Sequence, residues 1–207
     1  KRKKLFLAFE GIEASGKSYQ IHKLLKKIKK IKYKAISTRE PGGSKSAEVI
    51  RRLILSGKKS KFHKLTDTFL YLASRNEHFI NFIKPNLKNK QIILCDRFTD
   101  STYAYQVYGK QINKLLVDIS HKEILGNFKP DFTFVLVLNL NKSFIRLRKR
   151  KKANRYDKLS KIFYLKAQKS FIKTAKMYKR KYMIVDTTKD NQQAEKIIYN
   201  KFIKLIK

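Results

Sequence analysis

Two rhythms alternate along this chain. Short apolar runs at 5–9, 92–95, 132–138 and 182–186, with a more mixed one at 33–38, predict strands. Of these, 132–138 is the longest and fits a central parallel strand, covered on both faces. Between the runs, apolar residues recur every three or four positions and predict amphipathic helices. The first, over 17–32, aligns Ile21, Leu24, Leu25 and Ile28; a shorter one covers 47–55. The strongest covers 67–84, with Phe69, Leu72, Ala73, Phe79, Ile80 and Ile83 on its apolar face and Pro85 beyond its end. Further helices are predicted over 112–125, closed by Gly126 and Pro130, over 141–148 with Asn139 or Asn141 as cap, over 159–178 and over 192–206. A strand, loop and helix repeated about five times predicts a three-layer α/β fold with a parallel sheet. No repeat or low-complexity linker interrupts it, so one domain over 1–207 is expected.

Punctuation between the elements carries the chemistry. The first strand runs into Gly11-Ile12-Glu13-Ala14-Ser15-Gly16-Lys17-Ser18, which fits G-x-x-x-x-G-K-[ST] without mismatch, and an amphipathic helix follows. Glycines at both ends of such a loop permit close backbone approach, so amide N–H groups and a helix N-terminus converge on phosphate oxygens. These eight residues are the candidate ATP site. Lys17 would reach the β- and γ-phosphates, and Ser18 would offer a hydroxyl to Mg²⁺, a hard cation that prefers oxygen ligands. Asp96 directly follows a buried strand, the usual setting of a second Mg²⁺-organising acid, with Arg97 beside it to meet phosphate. Arg39 and Glu40 end the second strand at Pro41-Gly42-Gly43, the side of an open α/β sheet where ligands bind. On the 67–84 helix, Tyr71, Arg75 and His78 share a face, which by periodicity alone reads as a solvated stripe.

Composition narrows the classes. Hydrophobic content of 42% over 207 residues supports a globular fold. No apolar run approaches the ~20 residues that cross a bilayer, so neither a membrane partner nor a signal peptide is expected. Cys95 is the only cysteine, which rules out an internal disulfide and points to a reducing cytoplasm. With four scattered histidines it leaves no His/Cys metal cluster, and no Ser-His-Asp arrangement stands out. The net charge of +36 is spread along the chain among Ile, Phe, Tyr and Asn, as an AT-rich coding bias would produce. Specific nucleic-acid binding is therefore not expected, although polyanionic substrates are attracted. The basic stretch at 146–157 reads as a solvated face, a nucleic-acid patch or, in a kinase, a lid whose arginines close over a transferring phosphoryl group. On these residues alone the chain is a phosphate-loop nucleotide phosphotransferase. A sibling kinase for another small acceptor and a basic nucleic-acid-dependent NTPase stay open.

A resemblance goes further. Phe9-Glu10-Gly11-Ile12-Glu13 with Gly16-Lys17-Ser18, Thr38-Arg39-Glu40-Pro41-Gly42-Gly43, Tyr71-Leu72-Ala73-Ser74-Arg75, Asp96-Arg97-Phe98 with Ser101-Thr102 and Ala104-Tyr105-Gln106, and the arginine-rich lid occur in order. In these the chain resembles the bacterial thymidylate kinases, which phosphorylate dTMP to dTDP with ATP. The resemblance implies a P-loop NTPase fold: a five-stranded parallel sheet flanked by helices, with a short lid at about 147–157. It also implies Mg²⁺ and a homodimer. By the same resemblance Arg39 and Arg97 hold the dTMP phosphate, and Tyr71 stacks on thymine where the family usually has Phe. Arg75 bonds the base carbonyl, Thr102 sits at the N3 edge, and Ser101 and Gln106 belong to the acceptor pocket. Tyr105 lies against the deoxyribose, where it would crowd a 2′-hydroxyl, and Glu13 faces the 3′-hydroxyl side. With an acidic loop residue at 13, the catalytic arginine is expected from the lid. Arg150 is the first choice, followed by Arg148 and Arg155, acting with Lys17 and Arg97. Glu40–Pro41 is expected to be cis. Adenine contacts are expected near Thr187 and Thr188.

Overall fold

Strand β1 (Leu5–Glu10) is buried along its whole length, because it lies in the middle of a parallel sheet with helices on both faces. The computed structural model describes residues 3–57, 61–149, 154–189 and 191–207. The other strands are β2 (Ala35–Arg39), β3 (Ile92–Asp96), β4 (Phe132–Val137) and β5 (Tyr182–Asp186), and the sheet order is β2-β3-β1-β4-β5. The longest apolar run, β4, thus sits beside the centre instead of at it. Register brings the functional ends level, with Phe9 and Arg39 on either side of Asp96. The chain passes from one half of the sheet to the other at β1, and the crevice there is where open α/β sheets bind ligands.

Alternation along β1 separates two cores. Leu5, Leu7 and Phe9 pack under α1 (Lys17–Lys30) and α9 (Asn191–Ile206), meeting Ile21, Leu24, Ile28, Ile198 and Phe202. Phe6 and Ala8 face the opposite layer and meet Phe79, Ile83, Leu87 and Phe98. Phe6 and Phe9 have no exposed surface, and their burial contributes about 1.5–3 kcal/mol each. The other layer also holds α2 (Lys45–Leu55), α3 (Lys64–His78), α4 (Lys84–Lys88), α5 (Thr99–Thr102), α6 (Lys114–Leu125), α7 (Leu140–Arg148) and α8 (Lys161–Met177).

Three departures from the periodic pattern bear on the site. The helix predicted over 67–84 starts earlier and does not stop before Pro85; α3 passes through a π-helical turn, Phe79–Ile83, into α4. Pro85 follows directly on that π-helical turn, where the regular i→i−4 bonding is already interrupted. Second, Phe69 and Ile80, apolar by spacing, are 47% and 46% exposed, whereas Arg75 and His78 are buried. α3 turns its polar stripe toward the strand ends, where Glu40, Thr38 and Thr102 supply partners for it. Third, 98–108 forms α5 and a second π-helical turn, Tyr103–Gly109, which presents Tyr105 and Gln106 toward the crevice. The Glu40–Pro41 bond is cis, as expected.

Candidate active site

The phosphate loop wraps the gap between β1 and α1. Gly11 has φ 139°, and a Cβ there would lie 2.3 Å from the Leu136 carbonyl oxygen, so a side chain cannot be accommodated. Lys17 is buried, and its ammonium donates to the carbonyls of Gly11 (3.0 Å) and Ile12 (2.9 Å). Burial, and after it the nearby Arg97 guanidinium, pull Lys17 down to about 8. Ser18 Oγ donates to Asp96 Oδ2 at 2.7 Å, which joins the loop to the end of β3. The loop's outer carbonyls are held by neighbours. Ser143 Oγ donates to Glu13 O (2.9 Å), Arg146 Nη1 to Ala14 O (3.0 Å) and Thr187 Oγ1 to Ser15 O (2.9 Å).

On the other side of the crevice Arg97 connects the loop to a nucleotide-sized pocket. Its φ of 72° places it in the left-handed region, uncommon for a residue with a Cβ. Nη1 donates to Gly11 O (2.9 Å) and Ser101 Oγ (3.2 Å), and Nη2 to Glu13 Oε1 (3.0 Å) and the Tyr105 hydroxyl (3.2 Å). Tyr105 in turn donates to Glu13 Oε2 at 2.5 Å. Beneath them, Glu10 is fully buried; burial, then the neighbouring Asp100 carboxylate, raise it to about 8.

Arg75 is committed to the protein. Nε donates to Glu40 Oε2 (2.8 Å), Nη1 to Thr102 Oγ1 (2.7 Å) and His121 Nε2 (2.6 Å), and Nη2 to Phe98 O (2.8 Å) while lying 2.7 Å from Glu40 Oε2. Burial pushes Glu40 up, but Arg75 and His78 outweigh it and hold the carboxyl below its ordinary value. His121 is lowered to about 3 by burial and then by Arg75, so it stays neutral and accepts. Gln106 Nε2, by contrast, is buried with no hydrogen-bond partner among the described residues.

A cleft of about 550 Å³ gathers most of the expected residues: Glu13, Ala14, Gly16, Lys17, Ser18, Arg39, Tyr71, Arg75, Asp96, Arg97, Ser101, Thr102, Tyr105 and Gln106 all line it. Gly11, Ile12 and Ser15 form the loop's buried base. Arg39 reaches the rim and pairs with both carboxylate oxygens of Glu48 at 3.1 Å. The lid arginines divide. Arg155 does not line this cleft: it is buried, donating to Asp67 and to the Ile54 carbonyl. Arg148 is exposed at the end of α7, and Arg150 lies outside the described residues. Thr187 is spent on Ser15 and Val137, and Thr188 Oγ1 accepts from Asn139 N.

Of the wall residues that sequence reasoning did not single out, three bear on the chemistry. Arg146 sits on the loop's outer edge, three residues after Ser143 on the buried side of α7, and that helical phase was the signal for it. Arg51 donates to Pro41 O at 2.5 Å, and Tyr156 packs edge-to-face on Tyr71 with ring centroids 5.8 Å apart. Nothing in the local pattern distinguishes either from a surface residue.

Comparison with known proteins agrees with this geometry. The family model described as thymidylate kinase matches residues 9–198. Thymidylate kinase of Acholeplasma laidlawii is 35% identical over 202 residues, covering 97% of this chain and 99% of that protein. Thymidylate kinase of Sulfurihydrogenibium sp. is 37% identical over 193 residues, covering 93% and 94%. The crystal structure of thymidylate kinase from Ehrlichia chaffeensis superposes with a TM-score of 0.77 at 28% identity, covering 99% of this chain and all of that one. With likeness of this degree along nearly its whole length, in sequence and in fold, the chain belongs to the thymidylate kinase family.

Proposed function

We propose that the protein transfers the γ-phosphoryl group of ATP to a phosphate oxygen of dTMP, giving dTDP and ADP. One observation carries this reading: Arg97, Glu13 and Tyr105 bond to one another, so the loop that cradles the donor shares side chains with the pocket that takes the acceptor. Arg97 and Arg39 hold the acceptor phosphate. Tyr71 lies flat on the thymine, and Tyr105 walls the deoxyribose. The buried, unpartnered amide of Gln106 supplies a donor for a base carbonyl. Arg75, whose N–H groups already have protein acceptors, holds Thr102 against the N3 edge. Lys17, and Arg146 brought to the loop's edge, neutralise charge on the transferring group; positioning and charge, not a covalent nucleophile, lower this kind of barrier.

Ser18 and Asp96 fit a Mg²⁺ ion, since they put two hard oxygen donors together at the mouth of the loop. Among the described residues no group of three or more His, Cys, Asp or Glu side chains could hold a metal ion, so Ser18 and Asp96 would hold it together with non-protein oxygens. Held by Ser18 and Asp96, such an ion would supply charge neutralisation to the donor phosphates.

The lid spans about 147–157 in a single domain. Its described C-terminal part rests on Asp67, so the catalytic arginine comes from nearer the end of α7. The protein pairs with a second copy through α2, α3 and α6, neighbouring helices whose Val49, Leu53, Phe69, Leu115 and Ile119 leave large apolar surfaces exposed. No helix among the described residues is long and apolar enough to cross a membrane, and a single buried cysteine suits a reducing cytoplasm.

Product analysis with γ-labelled ATP tests the reaction. Label recovered in dTDP is expected; label released only as inorganic phosphate, or only when polynucleotide is added, overturns the reading.

A further inference from the structure

We propose that Glu10 is a positioning residue, whose buried carboxyl aims the Arg97 guanidinium at the acceptor phosphate through the Ser101 hydroxyl. The inference rests on the reading that Arg97 binds that phosphate. Glu10 ends β1 one residue before the loop and has no exposed surface, so its side chain touches neither ATP nor dTMP. It is nonetheless fully engaged. Oε1 accepts from Phe98 N (2.8 Å) and Ser101 N (3.2 Å), and Oε2 accepts from Ser101 Oγ at 2.6 Å.

Those bonds do two things. The amide bonds hold the turn that follows Arg97, whose own left-handed backbone is pinned on either side by Arg97 N to Phe9 O (2.9 Å) and Cys95 Sγ to Arg97 O (3.0 Å). A non-glycine residue keeps such a conformation only where its surroundings over-determine it. The hydroxyl bond then continues outward. In its ionised form Glu10 accepts from the Ser101 hydroxyl, and Ser101 Oγ then turns a lone pair to Arg97 Nη1 at 3.2 Å. Of the Arg97 side-chain partners, Ser101 is the one tied back to the sheet through a buried carboxyl. A neutral amide in place of Glu10 keeps an oxygen for the two amides but donates to Ser101, which reverses the relay without emptying the space.

The test measures steady-state constants for both substrates, above pH 8 where Glu10 is ionised, in Glu10→Gln, Ser101→Ala, the double variant and Arg97→Ala. Glu10→Gln and Ser101→Ala are each expected to raise KM for dTMP about tenfold, the scale of one lost hydrogen bond to a charged group, and to leave KM for ATP unchanged. The double variant should be no worse than Ser101→Ala alone, because both act through one chain of bonds. Additive losses, or equal losses for both substrates, would make Glu10 a purely structural residue and overturn the proposal. Should Glu10→Gln not fold, Ser101→Ala still tests it, since that change leaves both amide bonds in place; an unchanged KM for dTMP there overturns the relay. Arg97→Ala separates the two readings. If it leaves KM for dTMP unchanged, the phosphate-binding role fails and the proposal with it. If it raises that KM while the other variants do not, the relay alone fails.

Discussion

Arg155 donates to Asp67, and both side chains are buried between the end of the lid and α3. Lys110 and the Tyr156 hydroxyl meet the same carboxylate, so Asp67 joins three segments: α3, the end of the second π-helical turn and the end of the lid. Removing one partner of a buried ion pair costs about 3–5 kcal/mol, and the low end applies here because Lys110 still faces the Asp67 carboxylate. Arg155→Ala should therefore lower the denaturant midpoint strongly. At a temperature where the variant stays folded, its kcat at saturating substrates should fall far less than that of an Arg146 variant. A large kcat loss with unchanged stability would return Arg155 to the catalytic set.

Arg146 binds the loop carbonyl of Ala14 and lies 3.4 Å from the Thr187 carbonyl, which keeps its guanidinium at the donor end of the cleft. Arg146→Ala should reduce kcat about 10²-fold, on the scale of one preorganised charge-stabilising group, with little change in KM for dTMP. Stopped-flow or steady-state ADP release measures this directly. A change confined to KM for dTMP would place Arg146 on the acceptor instead.

Lys17 is the loop's own cation, and its ammonium already rests on the loop carbonyls. Lys17→Ala should cost about 10²-fold or more in kcat with the fold intact by circular dichroism. An unaffected rate would remove the assignment of this loop to the donor phosphates.

His121 gives a pH signature. Folded, it is held near 3 by burial and then by Arg75; unfolded, it titrates near its ordinary 6.5. Between those values the unfolded chain binds more protons, so this contribution to stability is complete above pH 6.5 and is lost as pH falls below it. The loss is about 2 kcal/mol at pH 5. Urea unfolding at pH 7.5 and pH 5 should show His121→Gln, which can still accept from Arg75, losing less than the parent by roughly that amount. Identical pH dependence in both proteins would contradict the neutral, accepting role of His121.

The amino-acid pattern carried the sheet well, because buried parallel strands such as 132–138 are continuous apolar runs bounded by loops. It carried the donor site as well, since a phosphate loop is built from contiguous residues whose spacing is itself the geometry. Sheet order was not legible, because a short apolar run does not say which neighbour it pairs with. The face of α3 was misread for a related reason: periodicity reports how polar a side is, and Arg75 and His78 are polar yet buried through partners far away in sequence. The lid failed at single-residue level, where six arginines and lysines at 146–152 are alike in sequence. Only three-dimensional position sets Arg146 on the loop and Arg155 on Asp67.

The central claim is the acceptor. Tyr105 is buried, tied by its hydroxyl to Glu13 and braced by the rings of Phe163 and Phe171 at 5.7 and 6.3 Å, so it forms a stiff wall where a ribose 2′-hydroxyl would project. The direct test is kcat/KM for dTMP against UMP, from ADP release at saturating ATP and Mg²⁺. The account predicts a preference for dTMP of at least about 10²-fold, as a built-in clash can supply. Equal use of UMP, or faster turnover of AMP than of dTMP, would contradict it.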